Sequence, residues 1–201
     1  LVRSRGGRRI GLLGGSFNPA HDGHRDISLQ ALRRLGLDEV WWLVSPQNPL
    51  KPIAGMAPFA ARLAGARAVA HHPRIRVTGI EAELGTTYTA EMLPRLMRRF
   101  PNARFVWLMG ADNLIQIASW RDWTWIFHTV AIAVFDRPNY SLKALSCTAA
   151  RRFNKARLKE SQASVLADRP PPAWVFLHIR RNPTSATRIR AERGSTPWAR
   201  A

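Results

Sequence analysis

The sequence predicts an α/β fold built on one doubly wound parallel sheet with helices on both faces. Three observations point to it. Short apolar stretches alternate with helix-spaced ones along most of the chain. The segments richest in Gly, Ser and His fall on loops between a strand and the next helix. A length of 201 residues with 46% hydrophobic content suits one well-buried domain.

Arg9 to Leu13 reads as a short buried strand ending in a Gly14-Gly15 turn. Ile27, Ala31, Leu32 and Leu35 then recur at helical spacing until Gly36 stops the helix. Val40 to Ser45 is an apolar strand, Pro46 to Pro58 a Pro-rich loop, and Phe59 to Ala70 an Ala-rich helix. Arg74 to Ile80 reads as strand, Ala90 to Phe100 as helix, Phe105 to Met109 as strand and Ala111 to Ala118 as helix. Val130 to Phe135 is a strongly apolar strand, closed by the turn residues Asp136-Arg137-Pro138-Asn139. Beyond it the pattern predicts a basic helix over Ser141 to Glu160, a break at Arg169 to Pro172, a strand at Trp174 to Ile179 and a short helix at Thr187 to Glu192. The expected organisation is a basic extension over 1–9, a single domain over 10–193 and a tail over 194–201.

The net charge of +18 is concentrated at the ends. Residues 1–10 hold four Arg and no acid, and residues 137–201 hold 14 Lys and Arg against three acids, so the middle is close to balanced. A solvated basic surface, attraction of polyphosphates and nucleic-acid binding are the three readings. The basic ends contain none of the recognisable nucleic-acid modules, so nucleic acid is not the expected partner. The single cysteine, Cys147, excludes an intrachain disulfide framework and a multi-cysteine zinc site. No stretch is long and apolar enough to span a bilayer, and no secretory h-region is read near the start, so the expected location is the cytoplasm with no membrane partner.

In parallel sheets ligands bind beyond the carboxyl ends of the strands, and the chemically distinctive residues lie there. Gly14 and Gly15 permit close backbone approach, and Ser16 adds a hydroxyl, so this turn can present donors to phosphate. His21 and His24, two residues apart at the mouth of the following helix, can donate to a polyphosphate where the helix N-terminus favours negative charge. A metal pair and simple capping are the competing readings of these histidines; no Cys lies nearby and Asp22 is the acid between them.

The segment GGSFNPAHDGH, Gly14 to His24, resembles the opening motif of the nucleotidyltransferases with an H-x-G-H signature, and within them the bacterial nicotinate-nucleotide adenylyltransferases. The resemblance runs from about Ile10 to Arg190. SPQNPLK, Ser45 to Lys51, is similar to a loop in which a lysine approaches the phosphates. Thr87-Tyr88-Thr89, Gly110-Ala111-Asp112 followed by Trp120, and Thr184 to Arg190 are similar to three further motifs in the family's order. Ala186 replaces a hydroxyl residue of the last one, removing one donor worth about 0.5–1.5 kcal/mol net.

The resemblance implies a Rossmann-like fold and transfer of AMP from ATP to nicotinate mononucleotide in NAD biosynthesis. It makes His21, His24, Lys51 and Arg190 the catalytic set. ATP is expected on Gly14, Gly15, Ser16, Phe17, His21, His24, Gly110, Asp112, Ser185, Thr187 and Arg190. The mononucleotide is expected on Ser16, Lys51, Thr89, Trp120 and Arg137, with the Trp120 indole stacked on the pyridine ring. Residue chemistry leaves alternatives at three positions: Trp120 also reads as a packing aromatic, Asp112 as a helix N-cap, and Arg137 as a surface turn residue. Mg2+ is implied, held mainly by ATP phosphates and water. A homo-oligomer is compatible with all of this.

Overall fold

The computed structural model describes residues 7–46 and 55–179. Seven strands form one sheet: β1 (Arg9–Gly15), β2 (Glu39–Val44), β3 (Ile75–Thr78), β4 (Arg104–Gly110), β5 (Ala131–Phe135), β6 (Arg157–Leu158) and β7 (Trp174–Leu177). Their spatial order is β3-β2-β1-β4-β5-β7-β6, and every pairing is parallel. The chain runs outward from β1 through β2 to β3, then returns to lay β4 on the other side of β1. That reversal is the topological switch point of a doubly wound, Rossmann-like sheet, where ligands bind past the strand ends.

Eight α-helices cover the sheet among the described residues: α1 (Asp22–Arg34), α2 (Phe59–Ala70), α3 (Ile80–Glu83), α4 (Thr89–Arg99), α5 (Ala111–Gln116), α6 (Trp123–Thr129), α7 (Ser141–Leu145) and α8 (Thr148–Arg152). None is long and apolar enough to cross a membrane. Both faces of the sheet bury apolar side chains, as parallel sheets require. Leu12, Trp41, Trp107 and Val134 pack toward α4, α5 and α6; Leu13, Trp42, Leu108 and Phe135 pack toward α1 and α2.

Most element positions agree with the sequence reading to within a residue or two, with four differences. β1 continues through Gly14 and Gly15, which stay in the ladder opposite Leu43 and Val44, so the turn begins at Ser16. The Arg74 to Ile80 strand is shorter, because Ile80 opens α3. α6 precedes β5 and carries Ile126 and Phe127 into the core. The helix expected over Ser141 to Glu160 is broken into α7, α8 and a 3-10 turn leading to β6. The Phe153 ring stacks on Phe127 at 4.1 Å and 3°, and its carbonyl accepts the Trp174 indole N–H at 2.8 Å, so core packing ends the helix there.

Candidate active site

The site is built on the strand ends flanking the switch point. Past β1, Phe17 takes a left-handed conformation with φ 46°, a strained geometry for a residue with a Cβ. Its ring is 2% exposed and stacks on Trp42 at 5.1 Å. Phe17 was expected among the ATP contacts; its ring is buried and supports His24, whose ring centroid lies 4.7 Å away, which leaves its backbone as the part open to ATP.

His21 caps α1 in an extended conformation, and its ring sits 3.9 Å from that of His24. The His21 N–H donates to His24 Nδ1 at 3.2 Å, so neutral His24 carries its proton on Nε2, as a donor. The backbone of His24 is fixed from the core: Trp42 Nε1 donates to Ser28 Oγ at 2.7 Å, which donates to the His24 carbonyl at 2.8 Å. His21 is buried, and its Nδ1 has no hydrogen-bond partner. Burial, with the Arg137 charge adding to it, lowers its pKa to about 4 despite Asp22 nearby. Hence His21 is a neutral dipole at neutral pH in this state.

Gly14 is glycine for a packing reason. A Cβ there would lie 2.6 Å from Cη2 of Trp107, so the indole of β4 occupies the space a side chain would need. The same indole meets Trp120 edge to face, with centroids 6.3 Å apart at 89°, and its Nε1 is buried without a partner.

Past β4, Gly110 is the N-cap of α5, so Asp112 is not an N-cap. Asp112 Oδ2 accepts from Arg137 Nη1 at 2.7 Å, whereas its Oδ1 is buried and unpartnered. Arg137 therefore faces inward from the end of β5 rather than standing free on a turn. A Cβ on Gly110 would lie 2.9 Å from Arg137 Cδ and closer still to Asp112 Oδ1, so this pair needs the glycine.

Thr89 is the first residue of α4 and is half-buried, like Trp120. Arg121, next to Trp120, holds the two segments together. Its guanidinium lies over the Tyr88 ring at 5.0 Å and pairs with Glu91 at 2.9 Å, on either side of Thr89. Of the remaining expected residues, Ser16 lies buried at the end of β1, while Lys51, Ser185, Ala186, Thr187 and Arg190 lie outside the described residues.

The sequence reading missed several residues here. Arg62 and Glu81 are buried charged side chains, and both reach Ser45 at the end of β2. A signal for Arg62 was present: it occupies the buried stripe of α2 with Ala66 and Ala70, at four-residue steps. Among the described residues no group of three or more His, Cys, Asp or Glu side chains converges as a metal site.

A cytidylyltransferase-like family model matches residues 12–192. A probable nicotinate-nucleotide adenylyltransferase of Parvibaculum lavamentivorans is 54% identical over 188 residues, 94% of this chain and 93% of that protein. Another from Cereibacter sphaeroides is 53% identical over 182 residues, 90% of this chain and 96% of that protein. Among solved structures, the nicotinic acid mononucleotide adenylyltransferase of Plasmodium falciparum complexed with NaAD is 16% identical, with a TM-score of 0.69 over 92% of this chain and 83% of that one. That likeness concerns the fold. With 53–54% identity over at least 90% of this chain and at least 93% of those relatives, the chain belongs to the nicotinate-nucleotide adenylyltransferases, within the cytidylyltransferase-like family.

Proposed function

We propose that the carboxyl edge around β1, β4 and β5 holds ATP and nicotinate mononucleotide for in-line transfer of AMP, and that His21 and His24 are its centre. The chain is a nucleotidyltransferase of NAD biosynthesis, producing nicotinate adenine dinucleotide and pyrophosphate. A phosphate oxygen of the mononucleotide forms a bond to the α-phosphorus of ATP, the bond from that phosphorus to the bridging oxygen breaks, and pyrophosphate leaves with the electron pair. No protein nucleophile is required. The acceptor phosphate is already ionised at neutral pH, so no protein base is required either.

What remains for the protein is placement and charge stabilisation. The observation that carries this reading is the pair of imidazoles 3.9 Å apart at the N-terminus of α1, at the switch point of the sheet. The Nε2 proton of His24 donates to phosphate oxygen, and the helix N-terminus favours the negative charge. Lys51 and Arg190 supply the cations, while Ser16, Ser185 and Thr187 supply hydroxyls. The unpartnered Oδ1 of Asp112 is an acceptor suited to a ribose hydroxyl.

Asp112, the carboxylate at the end of β4, is already paired with Arg137, which fits a Mg2+ carried by triphosphate oxygens and water rather than caged by protein. When bound, the ion neutralises phosphate charge. Trp120 and Thr89, joined through Arg121, receive the pyridine ring and its carboxylate, and we place the reaction in the cytoplasm.

A pyrophosphate-release assay comparing nicotinate and nicotinamide mononucleotides tests the assignment. The acid form should turn over faster; faster turnover of the amide would overturn the role given to Thr89 and Trp120.

A further inference from the structure

Arg62 is 4% exposed, and no carboxylate pairs with it among the described residues. Its guanidinium is spent on backbone carbonyls instead. Nη1 alone donates to Ser16 O and to Ser45 O, both at 2.7 Å; Nη2 donates to Pro46 O at 2.7 Å and Nε to Ala57 O at 2.9 Å. The face of Phe59 lies 5.6 Å from its central carbon. A buried cation costs several kcal/mol in desolvation unless its donors are met, so an arginine here points to a job an apolar side chain could not do.

The positions of those four carbonyls show what that job is. Ser16 begins the turn that leads to His21 and His24. Ser45 and Pro46 precede, and Ala57 follows, the 47–54 segment that contains Lys51. Ser45 N–H still donates to Gly15 O at 2.9 Å, so the β1–β2 ladder ends where Arg62 takes over. Asn18 reinforces the junction: its amide donates to Gly55 O at 3.0 Å and accepts Ala57 N–H at 3.2 Å. The Ser45 hydroxyl also donates to the carboxyl of Glu81. In a trans peptide the N–H points opposite the C=O. Holding Ser16 O therefore turns the Phe17 N–H away from Arg62.

We propose that Arg62 is a positioning residue for adenylyl transfer: one guanidinium ties the turn after β1, which leads to His21 and His24, to the end of β2 and to Ala57, so that this turn meets the triphosphate in fixed register. This rests on the assignment of that turn to ATP. Lysine has three donors on a tetrahedral nitrogen and cannot reproduce a planar fork that serves four carbonyls.

The test is steady-state pyrophosphate release by Arg62→Lys and Arg62→Gln, run well below the melting temperature of each. Misplacement by about an ångström costs up to about 100-fold in rate. Both variants should lose about 10-fold or more in kcat and raise the KM for ATP, while the KM for nicotinate mononucleotide moves less than about 3-fold. Millimolar methylguanidinium should restore part of the kcat of Arg62→Gln and none of that of a His24→Ala control. Folded variants with kcat and ATP KM within about 2-fold of the parent would overturn the proposal, as would losses that only track the unfolded fraction. If the lysine variant does not fold, the glutamine variant and its rescue decide alone. An inactive parent, or a fully active His24→Ala, would instead defeat the assignment of that turn to ATP.

Discussion

Arg137 Nη1 and Asp112 Oδ2 lie 2.7 Å apart, joining the loop after β5 to the first turn of α5 and leaving the second carboxylate oxygen buried and unpartnered. The arginine also acts on His21, whose pKa it lowers in addition to the larger effect of burial. Replacing Arg137 with Ala should therefore raise the His21 pKa while leaving it below 6.5, because burial persists. An NMR titration of the imidazole signals reads this directly. A His21 pKa unchanged in the variant would remove Arg137 from its surroundings.

His24 should act through Nε2, since Nδ1 is occupied by the His21 N–H. His24→Ala should lower kcat by about 100- to 1,000-fold with the fold intact. His24→Gln, whose amide reaches the Nε2 position, should keep more activity than His24→Asn, whose amide corresponds to Nδ1. Steady-state kinetics of the three variants, with circular dichroism to confirm folding, checks the order; the reverse order would assign the working nitrogen to Nδ1.

Two buried groups give opposite pH slopes to stability. Between pH 6.5 and about 4 the unfolded chain binds a proton on His21 that the folded chain does not, so stability falls as pH drops through that window. Between 4.5 and about 7 the folded chain keeps a proton on Glu81 that the unfolded chain has released, so stability falls as pH rises, because burial outweighs the Ser45 hydrogen bond. Glu81→Gln removes only the second slope. Urea unfolding should find the variant more stable than the parent at about pH 8 and nearly equal to it at about pH 5. A variant that is less stable at the higher pH would contradict the raised pKa.

Gly14→Ala should destabilise the fold by about 1–3 kcal/mol, because the new methyl meets the Trp107 ring 2.6 Å away. Trp107→Phe should recover part of that loss in the double variant, which a denaturant-based mutant cycle measures. Additive losses would show that the ring is not the obstacle.

Much of the fold was legible because strands buried on both faces leave continuous apolar runs, and α2 was bounded correctly at Phe59 and Ala70 by pattern alone. The break after α8 was not legible: it depends on Phe153 meeting Phe127 and Trp174, contacts between residues far apart in the chain. The same holds in the site. His21 and His24 declare themselves by type and spacing, but the neutrality of His21 comes from burial, which spacing does not encode. Gly14 was read as room for a ligand, and its need for glycine also comes from an indole of β4, which the sequence spacing does not reveal. Arg62 looks like one of 31 basic residues until its position on the buried stripe of α2 is noticed.

The indole of Trp107 borders Gly14, which we propose faces the triphosphate, and Trp120, which we propose faces the acceptor. A single rigid plate is thus shared by both halves of the site, and thermodynamic linkage constrains what it can transmit. Whatever factor ATP imposes on acceptor affinity through this plate, the acceptor imposes on ATP. Substituting Trp107 should therefore change one coupling factor, read equally from either substrate, whatever it does to each affinity alone.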